Sequence, residues 1–177
     1  HAVGMGEAVK EEFALAAMVV RLNTLVKGNS GISTHLAETL EEMINNRIIP
    51  VIPEHGGVGA SGDLTQLAHI AAAVIGEGDV MYKGKRQSAK KVFENLDIKP
   101  HKLLCKEGLA LINGTSMMSG VAALICKDVE RLISISIRLG CMALELVESM
   151  DDSIAEKLHN LRPHKGQVRV AKEMRDI

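Results

Sequence analysis

Aromatic residues are nearly absent from this sequence, which has no tryptophan, one tyrosine and two phenylalanines among 177 residues. Alanine, leucine, isoleucine and methionine are abundant instead, and these residues favour helices over strands. The 46% hydrophobic and 24% charged residues are far from the composition of disordered chains. We therefore predict a folded, mainly α protein.

Cysteine is also scarce. The odd set of Cys105, Cys126 and Cys141 has no C-x-x-C spacing, which argues against a disulfide framework and a zinc site. None of the seven histidines has the H-E-x-x-H spacing of a metal site, so no metal is expected. This cysteine usage is typical of a reducing compartment, and we expect a cytoplasmic protein.

Neither sign of charge dominates, because 21 Lys and Arg stand against 22 Asp and Glu. A net charge of −1 supplies no basic field for nucleic acid or an anionic membrane, so neither partner is expected. The longest uncharged stretch, 108–126, has the length of a membrane span, but polar residues and glycines interrupt it. We predict a buried segment of a soluble protein there.

Apolar residues recur at helical spacing along most of the chain. This periodicity predicts helices over residues 7–27, 34–46, 64–75, 88–95, 115–150 and 167–175. The helix over 115–150 is long enough for a helical bundle. The segment 80–87 is predicted to form a small hairpin that turns at Lys83 and Gly84.

No internal repeat or linker divides the chain, so residues 1–177 are treated as a single fragment. The chain opens at His1 without a methionine, and we expect it to be cut from a longer protein.

Proline and glycine are concentrated in the segment 48–62, I-I-P-V-I-P-E-H-G-G-V-G-A-S-G. This composition excludes a helix and predicts an extended approach to a tight loop. Asp63 is then predicted to cap the next helix, and Gln66, three residues later, completes a capping-box pair. That apolar helix is expected to be buried.

Two familiar motifs fit this loop poorly. Gly57, Gly59 and Gly62 match G-x-G-x-x-G, but prolines precede them and the flanking elements are helical, unlike a βαβ dinucleotide-binding unit. A nucleophile elbow fails because Asp63 stands where G-x-S-x-G requires glycine.

The tripeptide Ala60, Ser61 and Gly62 has a chemistry of its own. The Gly62 nitrogen can attack the Ala60 carbonyl carbon, because glycine has no Cβ to hinder the approach. Loss of the Ser61 hydroxyl then leaves an exocyclic methylene on a five-membered, electrophilic ring. The N-terminus of the following helix would stabilise negative charge there. An Ala-Ser-Gly tripeptide is also a common glycine-rich connection, so the longer string around it decides between the two interpretations.

That longer string, G-G-V-G-A-S-G-D-L-T-Q-L-A-H over residues 56–69, resembles the prosthetic-group segment of the histidine, phenylalanine and tyrosine ammonia-lyases and related aminomutases. Four further blocks resemble the same family and follow its order: H-A-V-G-M-G (1–6), R-L-N-T-L-V-K-G-N-S-G (21–31), K-E-G-L-A-L-I-N-G-T (106–115) and R-P-H-K-G-Q (162–167). The resemblance covers essentially the whole chain and implies the helical ammonia-lyase fold.

The resemblance implies that Ala60, Ser61 and Gly62 form 4-methylidene-imidazol-5-one (MIO), with no external cofactor. It places Asn113 beside MIO and Leu64 in the pocket for the substrate ring. His1 matches the second member of a pair that reads this ring, where histidine is similar to histidine ammonia-lyases and some tyrosine aminomutases. By residue type alone, the alternatives are a turn or cap residue for Asn113, a core residue for Leu64 and a frayed terminus for His1.

The family's activity implies MIO-dependent, non-oxidative elimination of ammonia from histidine or an aromatic amino acid, giving an α,β-unsaturated acid. It also implies a homotetramer with active sites built from several subunits. The family's catalytic tyrosine and carboxylate-binding arginine fall outside the matched blocks, and Tyr82 matches neither. We therefore expect the isolated chain to be inactive. The alternatives are a tyrosine 2,3-aminomutase that uses the same MIO and a catalytically silent helical assembly fragment.

Overall fold

The computed structural model describes residues 3–177 and is mainly helical, as the composition predicts. It forms two compact units, one up to residue 124 and one over Ile125–Ile177. The longest helix, α6 (Ser116–Leu146), contributes its first turns to the first unit and the rest to the second.

The first unit combines helices with short strands. In chain order its elements are β1 (Met5–Ala8), α1 (Glu11–Leu25), α2 (Thr34–Asn45), β2 (Ile49–Pro50), β3 (Pro53–His55), α3 (Leu64–Val74), β4 (Asp79–Tyr82), β5 (Lys85–Ser88), α4 (Ala89–Leu96) and α5 (Glu107–Ile112).

The strands form two small antiparallel sheets. β1 pairs with β3, and β2 pairs with β4, which in turn pairs with β5. Lys83 and Gly84 both have positive φ in the tight β4–β5 turn, so the predicted hairpin is confirmed.

One hydrophobic core holds the first unit together. It draws on α1 to α4 and on the strand β2, with fully buried side chains that include Met18, Leu40, Ile52, Leu67 and Phe93. Helix α3 is buried along Leu67, Ile70, Ala71, Ala73 and Val74, as its sequence predicts. Burial of its apolar face fixes the direction in which the preceding glycine-rich loop enters α3.

The second unit contains the remainder of α6, a short 3-10 helix (Asp151–Ile154), α7 (Glu156–Asn160) and α8 (Lys165–Arg175). Arg175 donates to the Ile154 carbonyl oxygen at 2.5 Å and thereby ties the end of α8 to the 3-10 helix. Ala171 and Ile137 are buried, whereas much of the apolar surface of α6 in this unit is exposed.

Several predicted boundaries are wrong for physical reasons. Helix α1 begins at Glu11 rather than at residue 7, because Met5–Ala8 pairs with β3. Helix α6 ends at Leu146 rather than at 150, because Glu148 adopts φ +50 and the Ser149 N–H donates to the Leu144 carbonyl, which closes the helix. The helices α5 and α7 are not predicted by the sequence pattern, because they are only six and five residues long.

The uncharged stretch 108–126 is not uniformly buried, contrary to prediction. Ala110, Leu111 and Met117 are buried, but Leu109, Met118 and Ile125 are exposed. By length and composition, the helical stretch from Glu107 to Leu146 could cross a membrane. The core or bundle helix of a soluble protein meets the same criterion, so this is weak evidence for a span.

Candidate active site

The glycine-rich loop over residues 56–62 leads into the N-terminus of α3. Ala60 and Ser61 are exposed at its tip, and Gly62 is half-buried. At its base, the Thr65 hydroxyl donates to the Gly56 carbonyl oxygen at 2.8 Å. The first turn of α3 therefore fixes the start of the loop and leaves Ala60 and Ser61 accessible.

The end of the loop is held against the bend at 113–115, which separates α5 from α6. Gly62 has φ +88, and a Cβ added there would overlap the Gly114 carbonyl oxygen. The Asp63 N–H donates to the same oxygen at 2.8 Å. Position 62 therefore requires glycine both for its backbone conformation and for this close approach.

Asp63 joins the N-termini of two helices. It precedes α3, but its side chain makes no capping hydrogen bond with that helix. Its carboxylate instead accepts the Met118 N–H in the first turn of α6, at 2.9 Å. The predicted capping box with Gln66 is wrong, because φ −94 and ψ 46 at Asp63 depart from the extended conformation typical of a capping residue.

Asn113 lies at the junction between α5 and α6. It ends α5, where its N–H donates to the Leu109 carbonyl, and it stands three residues before α6 begins at Ser116. Its side chain is exposed in a polar cleft of about 440 Å³, whose other lining residues include Arg21, Lys106 and Ser119. The predicted position just ahead of a helix N-terminus is confirmed, and Asn113 also caps α5.

Arg21 is the residue beneath this bend. Its side chain is 4% exposed, and its Nη2 donates to the carbonyl oxygens of Ala110 and, at 2.9 Å, of Asn113. These carbonyls belong to the end of α5, where a helix leaves acceptors without partners. Burial lowers the pKa of the Arg21 guanidinium. No sequence motif assigns Arg21 a role, although it stands on the buried face of α1 between Met18 and Leu25.

A buried carboxylate anchors the other end of α5. Glu107 accepts hydrogen bonds from the Ser33 N–H (2.8 Å), the Ser33 hydroxyl (2.6 Å), the Leu104 N–H (2.6 Å) and His101 Nε2 (2.7 Å). Burial alone would raise the pKa of Glu107, but these hydrogen bonds outweigh it and lower the pKa to about 2. The cluster is not apparent from the sequence, because its members are scattered between positions 33 and 107.

Of the other described residues that the sequence singles out, only Leu64 lies next to the glycine-rich loop. Leu64 opens α3 directly after Asp63 and is 38% exposed, so it does not belong to the core. His1 lies outside the described residues. Tyr82 is on β4 and is not among the residues that line the cleft beside Asn113.

Chemically, the arrangement presents an accessible tripeptide, which ends in a glycine of positive φ, at the junction of two helix N-termini. The N-termini of α3 and α6 carry positive potential, and the buried Arg21 adds a full positive charge beneath the bend. The Asp63 carboxylate accounts for one donor of α6. Such a site can stabilise negative charge that develops at the loop or at a ligand bound to it.

Comparison with known proteins gives a consistent result over the whole chain. The model of the family "Aromatic amino acid lyase" matches residues 1–177. A histidine ammonia-lyase of Alkaliphilus metalliredigens is 42% identical over 174 residues, which cover 98% of this chain and 34% of that protein.

Two solved structures share the fold. The phenylalanine aminomutase of Pantoea agglomerans superposes with a TM-score of 0.92 at 35% identity, covering 98% of this chain and 33% of that one. The tyrosine aminomutase of Streptomyces globisporus also has a TM-score of 0.92, at 36% identity, covering 99% of this chain and 33% of that one. The chain thus spans about a third of the length of the relatives it matches. It belongs to the aromatic amino acid lyase family.

Proposed function

We propose that this chain carries the electrophilic half of the active site of an ammonia-lyase, which eliminates ammonia from histidine or an aromatic amino acid to give an α,β-unsaturated acid. The observation that carries the proposal is the position of Ala60, Ser61 and Gly62 on an exposed loop held against the bend that contains Asn113.

The residues present fit the MIO group. Ring closure needs a glycine nitrogen close to the carbonyl two residues earlier, and Gly62 adopts a φ of +88 that L side chains rarely reach. The Gly114 carbonyl leaves no space for a Cβ at position 62. MIO, once formed, supplies an electrophilic methylene that the twenty ordinary side chains lack.

The chain's own residues would contribute to substrate binding and charge stabilisation at the loop in three ways. Asn113, exposed and one residue before the Gly114 that contacts the loop end, has an amide that would donate to a bound amino acid or to the ring. The N-termini of α3 and α6 would stabilise negative charge, without reorganisation, as it develops. Leu64, half-exposed next to the loop, would offer an apolar contact to the substrate ring.

Histidine is the substrate we favour. Two relatives, 42% and 44% identical to this chain, are named as histidine ammonia-lyases. Two solved structures, 35% and 36% identical, are aminomutases. Those structures keep a second candidate, a tyrosine 2,3-aminomutase that uses the same tripeptide. The assignment of His1 to reading the substrate ring belongs to this proposal.

We further propose that the protein is a cytoplasmic homotetramer held together by α6. Apolar or small residues on α6 recur at alternating intervals of four and three, the spacing of a bundle seam. They are Ile125, Val129, Leu132, Ser136, Leu139, Ala143 and Leu146, and all are exposed. Exposed apolar surface of this regularity is typical of helices that pack against other helices.

We propose that residues 1–177 alone have no substantial lyase activity. The only tyrosine, Tyr82, lies in a hairpin and does not line the cleft beside Asn113, so a tyrosine base has to come from elsewhere. The third candidate, a silent assembly fragment, differs in that Ala60, Ser61 and Gly62 stay uncyclised.

The testing experiment compares the protein at its natural length with its Ser61→Ala variant. We expect the unmodified protein to release ammonia from histidine and the variant to lose at least about 100-fold in rate, because alanine has no hydroxyl to eliminate during ring formation. Ser149→Ala, an exposed serine at the end of α6, is the matched control and should keep full activity. Equal rates for all three proteins would refute the proposal, and β-amino acid formation would favour the aminomutase.

A further inference from the structure

Arg21 links helix α1 to the place where the tripeptide would cyclise. Its guanidinium is buried, and its Nη2 spans the carbonyl oxygens of Ala110 and Asn113. A Cβ at Gly114 would overlap Arg21 Nη1. The guanidinium is therefore in contact with the bend from below.

The same bend contacts the loop from its other side. The Gly114 carbonyl oxygen accepts the Asp63 N–H at 2.8 Å and excludes any Cβ at Gly62. Two successive close approaches, Arg21 to Gly114 and Gly114 to Gly62, thus connect the core helix α1 to the tripeptide. Neither glycine can take a side chain without displacing one of these partners.

We propose that Arg21 is a positioning residue for formation of the internal prosthetic group: it holds the bend at 113–115 so that Gly114 keeps Gly62 within reach of the Ala60 carbonyl. This inference rests on the proposed function. The position of the Gly62 nitrogen relative to the Ala60 carbonyl carbon matters for cyclisation, because ring closure depends steeply on the separation and angle of the reacting atoms.

The reaction that Arg21 would assist balances as two dehydrations. The Gly62 nitrogen bonds to the Ala60 carbonyl carbon, and the Ala60 oxygen leaves as water with the amide hydrogens of Ser61 and Gly62. The Ser61 hydroxyl then leaves as a second water with the hydrogen on the Ser61 Cα. No oxidant or external reactant is consumed, and Arg21 neither gains nor loses a proton.

The test is the fraction of molecules that lack two waters, measured by intact mass on the protein at its natural length. Arg21→Met keeps an unbranched stem but removes every donor, and we expect its dehydrated fraction to be at least about tenfold smaller than in the unmodified protein. Met18→Ala is the matched control: it removes a fully buried side chain one turn earlier on α1 and leaves every donor of Arg21 in place. It should lower the melting temperature while the protein still dehydrates fully.

Arg21→Lys keeps the positive charge but replaces the guanidinium by a single ammonium group. This variant tests the inference if Arg21→Met does not fold. Partial dehydration of a folded Arg21→Lys protein supports the inference. Complete dehydration of a folded Arg21→Met protein, or of a folded Arg21→Lys protein, would overturn it while leaving the proposed function intact. Absence of dehydration in the unmodified protein would refute the proposed function itself.

Discussion

The Asp63 N–H donates to the Gly114 carbonyl oxygen at 2.8 Å, although the two residues are 51 positions apart. This hydrogen bond joins the end of the glycine-rich loop to the bend between α5 and α6. It places Gly62 against Gly114, the residue that follows Asn113, and the proposed chemistry depends on that juxtaposition.

Gly62 and Gly59 provide a matched pair of substitutions. Gly62→Ala adds a Cβ that overlaps the Gly114 carbonyl, at a residue with φ +88. Gly59→Ala also meets a positive φ, +69, but has open space around its Cβ. We expect Gly59→Ala to cost about 1 kcal/mol of left-handed strain and to dehydrate normally.

Gly62→Ala should instead reduce the dehydrated fraction by at least about tenfold, because the loop end must move away from the bend. Intact mass, combined with peptide mapping of residues 56–69, measures both variants. Equal dehydration of the two would contradict the contact between Gly62 and Gly114.

Asp63 is expected to stabilise α6 rather than α3. Asp63→Ala removes the carboxylate that accepts the Met118 N–H and should cost about 2 kcal/mol of unfolding free energy, because a charged acceptor at a helix N-terminus is lost. Asp63→Asn keeps an acceptor oxygen and should cost less than half as much. Urea unfolding measures both, and equal losses would argue against the cap.

The low pKa of Glu107 predicts that the first unit loses stability at acid pH. Its pKa in the folded state is about 2, against an ordinary value of 4.5, so its stabilisation is fully present above pH 4.5. The stabilisation is lost as the pH falls from about 4.5 to about 2. Glu107→Gln should cost on the order of 3 kcal/mol at neutral pH, because its amide accepts on one side only and turns its NH2 group toward the donors of the other side, Ser33 or Leu104.

The difference between this variant and the unmodified protein should shrink across the same pH range. Glu38→Gln, an exposed position on α2, is the control and should change stability by less than about 0.5 kcal/mol. A Glu107→Gln loss that stays constant from pH 6 to pH 2 would show that the carboxylate's charge is not what stabilises α5.

The stripe of exposed apolar and small residues on α6, from Ile125 to Leu146, predicts that the chain assembles through this helix. Replacing Leu132 and Leu139 together by Asn puts two polar amides into the proposed bundle seam, and light scattering should then show a species smaller than a tetramer. Lys127→Asn changes an exposed residue of the same helix off the stripe and should leave the assembly unchanged. A tetramer that survives the double substitution would place the interface elsewhere.

Local sequence patterns predict much of the secondary structure of this chain. The period of apolar residues predicts α2, α3, α4 and α8 to within a few residues, and turn chemistry at Lys83 and Gly84 predicts the hairpin. The start of α1 could not be predicted, because Met5–Ala8 becomes a strand only through its pairing with β3.

The site was predictable only in part for the same reason. The motif at 56–69 marks Ala60, Ser61, Gly62 and Leu64, and the family blocks mark Asn113. The target of the Asp63 carboxylate, the bend beneath Arg21 and the partners of Glu107 all depend on contacts between distant segments. A charged residue on the buried face of α1 is the one local signal that would have identified Arg21.

The measurement that tests the account most directly is the intact mass of the protein at its natural length, with the modification mapped to the peptide that contains residues 60–62. The account predicts a deficit of two water molecules located in Ala60, Ser61 and Gly62, and its absence in Ser61→Ala. A full, unmodified mass in a folded protein would contradict the account and leave the chain as a helical assembly element.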